Sequence, residues 1–240
     1  MQIVITMAGL GTRFKKAGYD MPKYEITAHG RTLFSWSMKS LKAFADNGSW
    51  YFIVRREDDA ADFIRKEASS FADPSDIKVI EIDHATDGQA TTALLAAPYW
   101  RGDDPLMIYN IDTYVKAGSM RPEDIRGDGF IPCFNAPGDH WSFVATDSNG
   151  LATEVREKQR ISDNCTLGAY YFSSCSLYER MYKEYYSTGE NLEKGEKYVA
   201  PLYNHMISLG MKVSISLIDE KDVHVLGTPE ELEQFKNTGL

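Results

Sequence analysis

The sequence predicts an α/β fold: a mostly parallel sheet flanked by helices, with a smaller antiparallel region following it. Two observations carry this. Over residues 2–110, short apolar runs alternate with amphipathic segments. Strands joined through helices lie parallel in one sheet, with the helices packed on its faces. Beyond residue 140 the pattern changes to strand-like runs separated by a tight polar turn, which marks antiparallel pairing.

Each element has its own signal. Gln2–Met7 is an apolar run ending in a Gly-containing loop. Thr32–Ala45 carries Leu33, Phe34, Met38, Leu41 and Ala45 at helical spacing. Trp50–Val54 is a strand, and Asp58–Phe71 a helix with charges interleaved among Ala61, Ile64 and Ala68. Lys78–Ile82 is a strand, Gln89–Ala97 a helix and Pro105–Asn110 a strand. Trp141–Thr146 and Leu151–Glu157, joined by Asp147-Ser148-Asn149-Gly150, form a hairpin. Thr166–Phe172 is another strand, followed by helices over Ser174–Tyr186 and Tyr198–Leu209 and a strand over Lys212–Leu217. The last helix opens at Thr228-Pro229-Glu230-Glu231, a capping box with Thr at N-cap, Pro at N1 and Glu at N3. No repeat, low-complexity tract or linker interrupts the chain. It reads as one domain over 1–240, with halves 1–115 and 116–240.

Composition narrows the function classes. Hydrophobic residues make up 43% and charged residues 25%, as in an ordinary folded protein. Lys+Arg 26 against Asp+Glu 35 gives a net charge of −9, which argues against a nucleic-acid partner. No apolar run approaches the ~20 residues that cross a bilayer, and no basic leader or cleavage-type apolar segment opens the chain. The expectation is a cytoplasmic protein with no membrane partner. Cys133, Cys165 and Cys175 match neither a zinc spacing nor a disulfide framework and read as reduced thiols.

Chemistry concentrates first in Ala8-Gly9-Leu10-Gly11-Thr12-Arg13-Phe14 and Pro22-Lys23. A Gly-rich turn after the first strand lets backbone N–H groups approach a polyphosphate. Arg13 and Lys23 add a bidentate donor and a mobile point charge. A P-loop is excluded because Thr12-Arg13 follows Gly11 where Lys-Ser/Thr is needed, and a dinucleotide fingerprint is excluded because Phe14 occupies its third small position. Gly-x-Gly alone is equally well explained by a plain βα turn; the two cations tip the balance. Second, Asp112 follows the strand Pro105–Asn110, at the carboxyl edge where parallel sheets bind ligands. In a 3-2-1-4 strand order it faces the Gly9–Arg13 loop. A carboxylate opposite a polyphosphate calls for a cation between them, and Mg²⁺ is the expected one. Third, Glu157-Lys158 ends a hairpin strand; taken alone, Lys158 is a solvated edge charge. Fourth, Asp87-Gly88-Gln89-Ala90-Thr91-Thr92 suits either a nucleobase edge or a simple helix start. Trp141, Tyr170, Tyr171, Tyr198 and Tyr203 are candidates for a pocket wall, although most of them suit a core. His29, His84, His140, His205 and His224 are scattered and read as structural or surface residues.

Together these residues resemble the sugar-phosphate nucleotidyltransferase (nucleoside-diphosphate-sugar pyrophosphorylase) family, over residues 1 to about 237. The resemblance implies a GT-A-like, Rossmann-like fold with a nucleotide-binding first half and an acceptor-binding second half. It implies nucleotide contacts from Ala8, Gly9, Leu10, Gly11, Thr12, Gly88 and Gln89. It puts Asn110, Glu157, Lys158 and Gly168 at the acceptor, with Lys158 on the acceptor phosphate, and Asp112 on Mg²⁺. Gly227-Thr228-Pro229-Glu230 resembles the closing motif of the family, but Val225 stands where a second metal Asp is usual. Asp222 is the nearby alternative.

The implied reaction joins an NTP and a phosphorylated small molecule, foremost a sugar 1-phosphate, releasing pyrophosphate. Its products would serve capsule or lipopolysaccharide assembly. A phosphate monoester has a second pKa near 6 and needs no enzyme base, which agrees with the lack of a Ser/His/Asp or Cys/His arrangement. Arg13, Lys23 and Lys158 would carry the catalysis. Three other readings are a cytidylyltransferase for a phosphorylated amino acid or choline phosphate, a nucleotide-sensing subunit without turnover, and a glycosyltransferase. The last is disfavoured because Asp112-Thr113-Tyr114 lacks the Asp-x-Asp pattern. A homo-oligomer stays open.

Overall fold

The computed structural model describes residues 1–45 and 48–239. The first half runs β1 (Gln2–Thr6), α1 (Thr12–Lys16), the short hairpin β2 (Thr27–Ala28) and β3 (Arg31–Thr32), α2 (Leu33–Ser40), β4 (Ser49–Arg55), α3 (Ala61–Ala68), β5 (Ile77–Ile82), α4 (Gln89–Leu94) and β6 (Leu106–Asn110). Next come β7 (Thr113–Val115), β8 (Gly129–Asn135), β9 (Ser142–Thr146), β10 (Ala152–Glu157), β11 (Asn164–Thr166), β12 (Ala169–Phe172), α5 (Cys175–Tyr185), α6 (Leu202–Ser208), β13 (Val213–Ile218), β14 (Val223–Val225) and α7 (Pro229–Lys236).

One large sheet has the order β10-β9-β11-β8-β12-β6-β1-β4-β5, with β13 pairing β8. The segment β5-β4-β1-β6 is parallel throughout. Counted by its own strands it is the predicted 3-2-1-4 order, so the strand order reverses between β1 and β6. The second half adds antiparallel strands from β12 outward, with β13 parallel to β8. The fold is therefore an α/β fold with a mixed sheet, as the sequence predicts.

β1, β4 and β6 are buried on both faces, whereas β5 is the partly exposed edge. Ile3 and Ile5 of β1 pack with Trp50, Phe52, Met107 and Tyr109 beneath α2 and α3. Val4 points the other way, with Tyr51, Ile53, Leu106 and Ile108 against Ala90 and Ala93 of α4. This alternation explains why β1, β4 and β6 read as continuous apolar runs. A smaller cluster of Phe14, Leu33, Trp36, Tyr114, Leu232 and Phe235 ties α1 and α2 to α7. It holds the first turn of α7 beside the end of β6.

Several boundaries differ from expectation for identifiable reasons. Asp59 lies in the left-handed region at φ 47, so α3 starts at Ala61 rather than at Asp58. Pro201 is the N-cap of α6, leaving Tyr198 outside the helix. The strand expected over Thr166–Phe172 breaks at Gly168 (φ 84) into β11 and β12. β8 is missed altogether because Pro132 interrupts its apolar pattern and proline normally marks an edge. Yet β8 is interior: the pairing Thr166↔Cys133 gives way to Tyr171↔Phe130, so the register slips where Pro132 lacks an N–H.

Candidate active site

The ends of β1 and β6 open into a crevice of about 700 Å³, within the ordinary range for ligand sites. Ala8, Gly9, Leu10, Gly11, Thr12 and Arg13 line one side, and Gly11 takes φ 62 to turn the chain into α1. The amides of Ala8 to Thr12 donate to no acceptor among the described residues, although Leu10 is 52% exposed and the loop is open to solvent. Lys23 follows Pro22 in a short 3₁₀ turn, anchored by the buried Tyr24, whose hydroxyl donates to Asp58 Oδ2 at 3.4 Å.

Lys23 Nζ reaches Asp112 Oδ2 at 2.8 Å. Asp112 leaves the end of β6, and its backbone oxygen accepts from Leu226 N at 2.8 Å. Burial opposes its charge, but Lys23 and then Arg13 more than offset this and hold the carboxyl below its ordinary value of 3.8. The cationic loop and the aspartate thus meet across one crevice.

Beyond them, Asn110 and Gly168 interlock. Asn110 N donates to Gly168 O at 3.0 Å, and a Cβ on Gly168 would sit 2.4 Å from Asn110 Nδ2. Gln89 donates through Nε2 to Asn110 Oδ1 and, at 3.3 Å, to Thr6 Oγ1. Gly88, at φ 144, is the N-cap of α4 and shares the crevice wall with Ala85 and Thr86. The far wall holds Lys158, in the left-handed region at φ 54, with its Nζ 3.3 Å from Glu157 Oε1 and 2.7 Å from Tyr198 Oη. Burial works against the Lys158 charge, but the bond to Tyr198 and the field of Glu157 raise its pKa above the ordinary 10.5. Glu157 also accepts from Ser142 Oγ.

The structure thus gathers Arg13, Lys23, Gly88, Gln89, Asn110, Asp112, Glu157, Lys158 and Gly168 around one cavity. Asp222, the alternative metal carboxylate, is not part of that lining. Asp222 Oδ2 accepts from Ser119 at 3.0 Å, and Oδ1 faces Lys116 at 3.6 Å, away from the crevice. The pairing of β14 with β7 instead brings Val225 beside Thr113 on the wall. Sequence reasoning gives Glu231 a capping role only. Its carboxylate bypasses the Thr228 amide, accepts from Gly227 N at 3.0 Å and turns into the crevice. A Cβ on Gly227 would lie 3.4 Å from Asp112 Oδ2 and 3.5 Å from Glu231 Oε2, so the two carboxylates converge there. His140 is likewise a wall residue, its ring centroid 4.2 Å from that of Trp141 and tilted by 39°. Trp141, Tyr170 and Tyr198 line the cavity, whereas Tyr203 is core and donates to Tyr171 O.

The donor set suits a hard cation. Asp112 and Glu231 offer only oxygen, and no group of three acidic, His or Cys ligands exists among the described residues. Mg²⁺ fits such a site because it needs only one or two carboxylates beside phosphate and water oxygens.

No family model and no curated protein matches the chain. Among solved structures, the chain is similar to the nucleoside-diphosphate-sugar pyrophosphorylase from Vibrio cholerae RC9, at 34% identity and TM-score 0.90, over 98% of this chain and 100% of that one. A Bacillus anthracis protein described as a glucose-1-phosphate thymidylyltransferase, solved with a sucrose, gives 15% identity and TM-score 0.78 over 100% of this chain and 97% of that one. The inositol-1-phosphate CTP transferase from T. maritima gives 14% and 0.73 over the same shares, 100% and 97%. These last two share the fold.

Proposed function

The chain belongs to the sugar-phosphate nucleotidyltransferase family, and from that premise we propose that it joins an NTP to a sugar 1-phosphate, with release of pyrophosphate. The observation that carries this reading is the 2.8 Å contact of Lys23 with Asp112 at the mouth of the Gly9–Arg13 loop, in the same cavity as Lys158.

In this reading Arg13, Lys23 and the loop amides hold the triphosphate. Lys158 orients the acceptor phosphate, and Glu157 and Asn110 border the acceptor. One acceptor oxygen forms a bond to the α-phosphorus as the bond to the β-phosphate oxygen breaks in line. That oxygen already carries charge at neutral pH, so no protein base is required. Catalysis then rests on positioning and on neutralising the charge that moves onto pyrophosphate. Arg13 and Lys23 supply fixed positive charge where that charge develops. Asp112 and Glu231 would hold a divalent cation, which would supply further positive charge to the phosphates. Such an enzyme makes activated building blocks, as for capsule or lipopolysaccharide assembly in the cytoplasm.

A second reading is a cytidylyltransferase acting on choline phosphate or a phosphorylated amino acid. The rings of Trp141 and Tyr198 beside Glu157 and Glu196 favour it, because aromatic faces with carboxylates suit a cationic group. The test is pyrophosphate release with the four common NTPs and dTTP, crossed with sugar 1-phosphates, inositol 1-phosphate and choline phosphate, with Mg²⁺. Turnover with a sugar 1-phosphate supports the first reading. Turnover with choline phosphate alone supports the second, and nucleotide binding without pyrophosphate release from any pair would overturn both.

A further inference from the structure

The tripeptide Glu196-Lys197-Tyr198 touches both ends of the crevice. Glu196 and Tyr198 line the cavity, while the side chain of Lys197 turns away from it, the alternation of an extended segment. On one side the tripeptide grips the Gly88 loop. Lys197 N donates to Asp87 O at 2.8 Å, and Ala90 N donates to Lys197 O at 3.0 Å. Lys197 Nζ pairs with Asp87 Oδ2 at 2.7 Å. The fit is close enough that a Cβ on Gly88 would lie 2.3 Å from Lys197 O and 2.5 Å from Lys197 N.

On the other side the same tripeptide holds Lys158. Tyr198 Oη accepts from Lys158 Nζ at 2.7 Å, and its ring lies 4.4 Å from the same ammonium. Tyrosines of α5 and its C-cap brace the arrangement: Tyr186 Oη donates to Tyr198 O at 2.6 Å, and Tyr182 Oη meets Thr91 Oγ1 at 2.8 Å. A half-exposed ion pair such as Lys197–Asp87 contributes little by itself. Joined to two backbone hydrogen bonds and a glycine that admits no side chain, it fixes the strap to the loop.

We propose that Glu196-Lys197-Tyr198 is a strap that couples the nucleobase loop to Lys158, so that seating a nucleotide against Gly88 and Gln89 sets Lys158 for the acceptor phosphate. Lys197 and Tyr198 are then positioning residues: Lys197 acts on both subsites while touching neither ligand. The roles of the two subsites rest on the proposed function; the mechanical link between them does not. Coupling of this kind is reciprocal: whatever loosens the strap weakens both substrates.

The test has two arms. In the free protein, hydrogen–deuterium exchange is followed in peptides covering 86–92, 156–160 and the strap 195–199 for wild type, Lys197→Met and Gly88→Ala. Faster exchange in both peptides on Lys197→Met is expected, and an increase confined to the strap itself would overturn the proposal. In the second arm, kinetics are measured with the NTP and acceptor pair found by pyrophosphate release. Lys197→Met is expected to raise the KM of both substrates by about fivefold or more, the low end of ordinary site coupling, with kcat changed less, and Lys197→Arg is expected to restore both. A rise in the nucleotide KM alone would overturn the proposal, as would a uniform loss of activity with neither KM moved. Should Gly88→Ala fail to fold, Lys197→Met still decides. If no pair releases pyrophosphate, the proposed function fails while the exchange arm still reads the strap.

Discussion

Replacing Lys23 by alanine removes one positive charge from the point where the account places the departing pyrophosphate. At 2.8 Å from Asp112 the gross attraction is about 6 kcal/mol at an effective dielectric near 20. Desolvation of two side chains that are only 20% and 28% exposed offsets much of it, so the net effect on folding is far smaller. The field of Arg13 still favours the Asp112 carboxylate in the variant, which limits the cost of losing Lys23. The larger loss falls on the transition state: removing one preorganised partner of developing charge costs roughly 2.7–4 kcal/mol, or ~10²–10³ in kcat. The assay is steady-state pyrophosphate release at saturating substrates, with circular dichroism to establish that the fold survives. A folded Lys23→Ala protein that turns over within tenfold of wild type would refute the reasoning, because Lys23 would then neutralise nothing in the reaction.

Other outcomes follow from the same geometry. Lys158→Ala should raise the acceptor KM while leaving nucleotide affinity in place; an unchanged acceptor dependence removes Lys158 from that subsite. Gly168→Ala must strain a residue at φ 84 and push on Asn110 Nδ2, so thermal melting should fall by several degrees, about 2–4 °C for each kcal/mol in a chain of this size. An unchanged Tm would show that the Asn110–Gly168 interlock is unstrained by a methyl group. The lowered pKa of Asp112 makes its contribution to stability fully present above the ordinary 3.8 and lost as pH falls through the lowered value. The stability gap between wild type and Asp112→Asn should therefore be flat at neutral pH and close in acid. A gap that closes between pH 6 and 8 would contradict the assignment.

Much of the parallel half was legible because β1, β4 and β6 are buried on both faces, the edge strand β5 is short and apolar-rich, and the helices carry an apolar stripe. That pattern predicts β1, β4, β5 and β6, and hence the placement of Asp112 opposite the glycine loop. The antiparallel half was harder. Pro132 hides β8, because the local rule that proline marks an edge yields to a register slip that only the assembled sheet contains. Gly168 looks like part of a strand, but its φ 84 turn breaks that strand and locks Asn110. Glu231 was visible as a helix cap; that its carboxylate also turns toward Asp112 depends on the angle at which α7 is held by Trp36, Tyr114 and Phe235. Tyr198 was one of five aromatic candidates for a pocket wall, and nothing local separates it from Tyr203, which is core, until Lys158 is found against its ring. Asp222 sits in the turn before β14, where Ser119 and Lys116 hold it outside the crevice lining, an orientation that closeness in sequence to Val225 does not reveal.

The most direct measurement is calorimetric binding of the active NTP, with and without Mg²⁺, to wild type, Lys23→Ala and Asp112→Asn. If the cationic loop and Asp112 grip one triphosphate, Mg²⁺ tightens nucleotide binding in wild type. Asp112→Asn abolishes that gain while keeping metal-free binding, and Lys23→Ala weakens binding in both conditions. A full Mg²⁺ gain in Asp112→Asn, together with unaltered affinity in Lys23→Ala, would place the nucleotide elsewhere and contradict the account.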